Sequence, residues 1–60
     1  MDVNSAITDP AYWRQRAEEA RRIAEQLSDP VSQQTMRDIA AAYEQLAEIA
    51  QARRAAEKTD

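Results

Sequence analysis

Gln26-Leu27-Ser28-Asp29-Pro30-Val31 is the stretch on which the fold turns. Asp is a favoured helix N-cap, because its carboxylate accepts a hydrogen bond from one of the unpaired N–H groups of the first turn. Pro suits the first helical position, where its missing N–H costs nothing. The residue before a proline is pushed out of the α region, so Asp29 also closes whatever helix precedes it. Asp9-Pro10 repeats the signal, with Thr8 and Ser28 as alternative caps one residue earlier. The spacing predicts one helical-hairpin domain over residues 1–60: an extended segment at 1–8, a first helix at 10–27 and a second at 30–57. A link of about two residues forces the helices to lie antiparallel.

Apolar periodicity agrees. The first helix carries Trp13, Ala17, Ala20, Ala24 and Leu27, spaced four, three, four and three, with Ile23 beside them. At about 100° per residue these side chains fall within about 120° of one another. Gln15, Glu18, Glu19, Arg22, Glu25 and Gln26 occupy the opposite side. The second helix repeats the spacing with Met36, Ala40, Tyr43, Ala47 and Ala50, widened by Ile39 and Leu46. Ile49 and Ala42 lie further round, and Ala52 and Ala56 extend that second strip. The second helix is thus apolar over roughly half its circumference.

One neighbouring helix cannot cover so much, and two can. At about 1.5 Å per residue the helices are about 27 and 42 Å long, so the second overhangs the first. Val3, Ala6 and Ile7 are placed to fold back along the overhang, or a partner chain covers it. Read outward from the turn, Leu27 lies near Val31, Ala24 near Thr35 and Met36, and Ala20 near Ile39. Ala17 faces Ala40 and Tyr43, and Trp13 faces Leu46 and Ala47. Small residues of the first helix then oppose large ones of the second. The fold class expected is all-α: an antiparallel hairpin that pairs with a second copy as a homodimeric four-helix bundle. The core and interface residues of that reading are Tyr12, Trp13, Ile23, Leu27, Met36, Ile39, Tyr43, Leu46 and Ile49. Ile49 is expected between chains, and Tyr12, at the edge of its stripe, reaches a second subunit.

Composition narrows the function classes. Sixty residues make one small core, and chains of this size often recruit disulfides, metals or other subunits. Cysteine and histidine are both absent, which removes the disulfide staple and the usual zinc ligands. Association is the device that remains. Glycine is absent too, so neither a Rossmann fingerprint nor a P-loop can be built. Of the 43% hydrophobic content half is alanine, the best helix former. The start of the chain has no basic stretch leading into an apolar one, as a secretory leader would. No apolar run approaches the roughly 18 residues of a spanning helix. Those features, with the missing cysteines, fit a cytoplasmic protein that keeps clear of membranes.

Catalytic chemistry finds few candidates. Ser5, Ser28 and Ser32 have no neighbouring base, and there is no thiol nucleophile. Glu18 with Glu19, and Glu44 with Glu48, are carboxylate pairs, the latter four apart on what reads as the solvent side of the second helix. No Glu-x-x-His accompanies them, so no metal, no cofactor and no enzymatic role are expected. Arg14, Arg16, Arg21 and Arg22 make the first helix locally basic. Arg14–Glu18, Glu18–Arg22 and Arg21–Glu25 sit at ion-pair spacing, and such interleaved carboxylates repel phosphates. The net charge of -3 sets the same balance against nucleic acid.

Two blocks carry a resemblance: Tyr12-Trp13-Arg14-Gln15-Arg16-Ala17-Glu18-Glu19-Ala20-Arg21, and, after the Asp29-Pro30 turn, Met36-Arg37-Asp38-Ile39-Ala40-Ala41-Ala42-Tyr43-Glu44-Gln45-Leu46-Ala47. Together they resemble a group of short helical-hairpin proteins of alphaproteobacteria to which no function is assigned. The resemblance implies the fold and no activity. The function expected is a structural or protein-interaction module working through self-association. The alternatives are a small regulator binding RNA or DNA through the first helix, and an adaptor hairpin that completes a bundle with a different helical protein.

Overall fold

In a computed structural model the chain is described over residues 8–58. Two helices account for nearly all of it: α1, Pro10–Gln26, and α2, Pro30–Lys58. They pack antiparallel as one layer, 49 × 22 × 11 Å in extent. Val3, Ala6 and Ile7, expected along the overhang of α2, lie outside the described residues, as do Thr59 and Asp60.

Both helices start on aspartate. Asp9 has extended backbone angles (φ -90, ψ 117), and its carboxylate accepts from the Ala11 N–H at 3.1 Å, with Pro10 in the first turn. Asp29 does more. One carboxylate oxygen accepts from both the Ser32 N–H at 3.0 Å and the Ser32 hydroxyl at 2.8 Å, while the Asp29 carbonyl accepts from the Gln33 N–H at 2.9 Å. The Ser32 hydroxyl, and then the backbone N–H, hold the Asp29 carboxyl below the ordinary aspartate range.

The end of α1 shows how a chain without glycine stops a helix. No described residue has positive φ, so the usual left-handed C-cap is not used. Leu27 swings to extended angles (φ -84, ψ 138) and its N–H still donates to the Ala24 carbonyl at 3.2 Å. Gln33, from the first turn of α2, donates its side-chain amide to the Leu27 carbonyl at 2.5 Å. The stop therefore falls one residue before Leu27, and the turn is closed by side chains from α2.

The seam between the helices is alanine against alanine. Ala17, Ala20 and Ala24 of α1 and Ala40, Ala47 and Ala50 of α2 are the buried apolar residues besides Pro10, with Ala17 at 0% exposure. Met36 and Tyr43 pack partly buried against Ala17, Ala20 and Ala40. The expected small-against-large packing holds where Met36 and Tyr43 of α2 meet Ala17 and Ala20 of α1; the remaining buried positions are alanine on both helices, and the branched side chains stand beside the seam. Ile23, Ile39 and Leu46, expected to widen the buried stripes, are 47%, 39% and 39% exposed.

Replacing Asp29 with Ala removes two acceptor bonds at the start of α2 and should lower the melting temperature by about 4–8 °C; Asp29→Asn should keep most of the cap. Because folding lowers the Asp29 pKa, its contribution is full above the ordinary aspartate value of about 3.9 and is lost as pH falls through the lower native-state value. Acid melts of the wild type and Asp29→Asn should therefore converge below that window. Ala17→Leu should cost about 1–3 kcal/mol by forcing the helices apart. A circular-dichroism melt unchanged by Ala17→Leu would show a seam looser than described.

Candidate interaction surface

A single layer of two helices has two broad sides, and this one has opposite characters on them. On one side the helices are joined by charge. Arg21 of α1 forms an ion pair with Glu44 of α2, and Arg14 donates to the Gln51 side-chain oxygen at 2.6 Å. A shallow depression of about 270 Å³ lies here, lined by Arg21, Glu25, Arg37 and Glu44. Of the ion pairs expected within α1, Glu18–Arg22 is present at 3.8 Å. Arg14 and Arg21 instead reach across to α2, because the rotation of α1 that buries Ala17 and Ala20 swings both toward the neighbouring helix. Glu44 accordingly lies at the helix–helix edge rather than on the free solvent side.

The other side is apolar. At about 100° per residue, Tyr12 and Ile23 of α1 and Ile39, Leu46 and Ile49 of α2 project from the flank opposite Arg21 and Glu44. Every one of them is exposed, Ile49 most at 51%. Val31, at 74%, stands apart near the turn. Of the expected core and interface residues, Trp13, Leu27, Met36 and Tyr43 are half-buried, while Tyr12, Ile23, Ile39, Leu46 and Ile49 share this open face.

Three aromatic rings and an arginine tie the face together. Tyr12 meets Trp13 edge-on at 4.9 Å between centroids, and Trp13 stacks on Tyr43 at 5.8 Å with 23° between planes. The Arg16 guanidinium lies over the Tyr43 ring at 5.8 Å and pairs with Glu19 at 3.2 Å. Its hydrogen bond and charge interaction with Tyr43, followed by Glu19, raise the Arg16 pKa above its ordinary value, so this cation stays charged. Sequence spacing does not show that contact, since it spans the two helices. Below the rings, between the start of α1 and the last turns of α2, opens a cleft of about 430 Å³. Trp13, Leu46 and Ile49 give it an apolar wall and Arg53 and Arg54 a basic one. Arg54 also reaches Asp9, the cap of α1, at 3.8 Å.

Among the described residues no three acidic side chains gather closely enough to hold a metal ion. The Ser32 hydroxyl is committed to Asp29. No described helix is long and apolar enough to cross a membrane. No family model, curated protein or solved structure matches the chain.

Tyr43 is the residue on which Trp13, Arg16 and the alanine seam all converge. Tyr43→Ala should cost roughly 1–3 kcal/mol and move the emission of Trp13, the sole tryptophan, to longer wavelength. Fluorescence unchanged in the folded variant would mean that Trp13 is sheltered by something other than Tyr43.

Proposed function

We propose that this chain is a non-enzymatic self-association module of the cytoplasm, in which two hairpins stack through the Ile23–Ile39–Leu46–Ile49 face as a homodimeric four-helix bundle. The observation that carries this reading is the gathering of five of the six exposed large apolar side chains on one side of the layer. Large exposed apolar patches mark surfaces of contact with another protein, a membrane or a ligand. The energetics of the seam argue the same way. A buried methyl contributes about 0.8 kcal/mol, whereas ordering one residue's backbone costs about 1–2 kcal/mol. Six buried alanines, with Trp13, Leu27, Met36 and Tyr43 only half-buried, are a small core for two helices of this length, and the uncovered isoleucines and leucine are the largest further source of burial. The arginines of α1 are largely engaged, Arg14 with Gln51, Arg16 with Glu19 and Arg21 with Glu44, which weakens the case for a phosphate-binding helix.

The test is solution mass together with the melt. Sedimentation should give twice the chain mass, and the melting temperature should rise with protein concentration, because folding and pairing are linked. Ile49→Asp should shift the mass toward the single chain. Burying the open half of Ile49 on both subunits is worth about 1.5–3 kcal/mol, so the dissociation constant should rise about ten- to a hundredfold. A wild-type chain of single mass with a concentration-independent melt would overturn self-association and leave the face to a different partner.

A further inference from the structure

The apolar face is not uniform. Along α1 it runs Tyr12, Arg16, Glu19, Ile23, spaced four, three and four. Along α2 it runs Thr35, Ile39, Ala42, Leu46, Ile49, spaced four, three, four and three. Each is a second heptad-like seam, about 90° around its helix from the buried alanines. The α1 seam has an apolar residue at each end and a cation beside an anion in the middle. The α2 seam has Ile39 and Leu46 on either side of a small residue, Ala42. Each seam is its own complement when turned end over end.

The register of the hairpin makes the two turns coincide. Gln33 reaches Leu27 at one end, and Arg16 lies over Tyr43 in the middle. The point midway between Arg16 and Glu19 on α1 is therefore level with the point midway between Ile39 and Leu46 on α2. One two-fold axis lying across the face at that level serves both helices.

We infer that the second copy stacks like helix on like helix, α1 on α1 and α2 on α2, each pair antiparallel about an axis crossing the face at the level of Ala42 and, on α1, midway between Arg16 and Glu19. This rests on the self-association reading above and adds the arrangement of the copies. Arg16 of each chain then meets Glu19 of the other, and Tyr12 meets Ile23. On α2, Ile39 meets Leu46, and the two Ala42 methyls let the backbones approach closely. The occupant is chosen by charge as well as shape. Arg16 and Glu19 pair with one another and are 47% and 44% exposed, so a partner that covers them takes both charges out of water and is favoured where it adds opposite charges. A second copy in this orientation presents Glu19 to Arg16 and Arg16 to Glu19. Turned instead about an axis along the helices, it would lay Ile39, Ala42 and Leu46 over this ion pair and desolvate both charges with no added partner. The face also has the size required. It is 22 Å wide and runs along α2, about 43 Å, against the about 800 Å² per partner that a stable interface buries.

The chain has no cysteine, so a single introduced thiol reports geometry without interference. Ala42 is exposed and off the alanine seam, and Ala41 faces the charged side, lining the depression there. Under mild oxidation the A42C chain should form a disulfide-linked dimer almost completely, and the A41C chain should not. A second experiment reads the charges. R16E places two carboxylates on the α1 seam and E19R two guanidinium groups. Each should dimerise at least tenfold more weakly than wild type alone, and the two mixed should pair with one another. A non-covalent dimer in which A42C links no faster than A41C, or in which R16E and E19R show no preference for each other, would overturn this stacking and leave self-association standing. A monomeric wild type would overturn both.

Discussion

Alanine at Ala17, Ala20 and Ala24 on one helix, and at Ala40, Ala47 and Ala50 on the other, makes the fully buried seam between α1 and α2 one of methyl groups, with Met36 and Tyr43 packed partly buried against it. Two helices that meet through methyls come close, and closeness leaves little room for large side chains at the centre of the seam. Apart from Trp13, Leu27, Met36 and Tyr43, which are half-buried at the seam, the bulky residues stand on one or other broad side of the layer. The long polar ones, Arg14, Arg21 and Glu44, span the narrow gap on one side. The branched apolar ones, Ile23, Ile39, Leu46 and Ile49, stand on the other. The two-sided character of the molecule thus follows from the smallness of its seam.

The turn supplies what the seam cannot, which is direction. Asp29 is forced out of the helical region by Pro30 and in the same place accepts both donors of Ser32. Gln33 then closes the open carbonyl at Leu27. Two helix ends are satisfied by two consecutive positions of α2, Ser32 and Gln33, and one aspartate, with no residue at positive φ. The helices leave this joint at a fixed rotation. That rotation puts the alanine stripes face to face and sets Arg16 over Tyr43 rather than over solvent.

The caps and the alanine spacing were legible in the sequence because each depends on neighbours within one helix. Asp-Pro has a local chemical meaning, and a stripe of alanines every three or four residues has a direction. The partners of Arg14 and Arg21 were not legible. Glu18 and Glu25 offer each of them an i, i+4 partner, and the choice between those and Gln51 or Glu44 depends on how far one helix is turned toward the other. The same blindness applied to Ile23, Ile39 and Leu46. Periodicity places them beside the alanines, but burial depends on how closely the backbones approach. Of the candidate surface, Ile49 could be singled out because it lies far from the stripe, and Tyr12 because it lies at the stripe's edge; Ile23, Ile39 and Leu46 came out by standing beside the seam rather than in it.

The narrow seam also sets how such a chain can drift. At Ala17, Ala20 and Ala40 a larger side chain has no space, and glycine loses about 1 kcal/mol of helix propensity at each site. Alanine and serine are nearly the whole permitted alphabet there. On the charged side, by contrast, almost any long polar residue can bridge or simply be solvated. Two descendants of this chain could therefore keep the hairpin while differing at most surface positions, so long as six small residues held their places. What is inherited in such a lineage is a pattern of absences, the sites where nothing larger than a methyl or a hydroxymethyl has been let in.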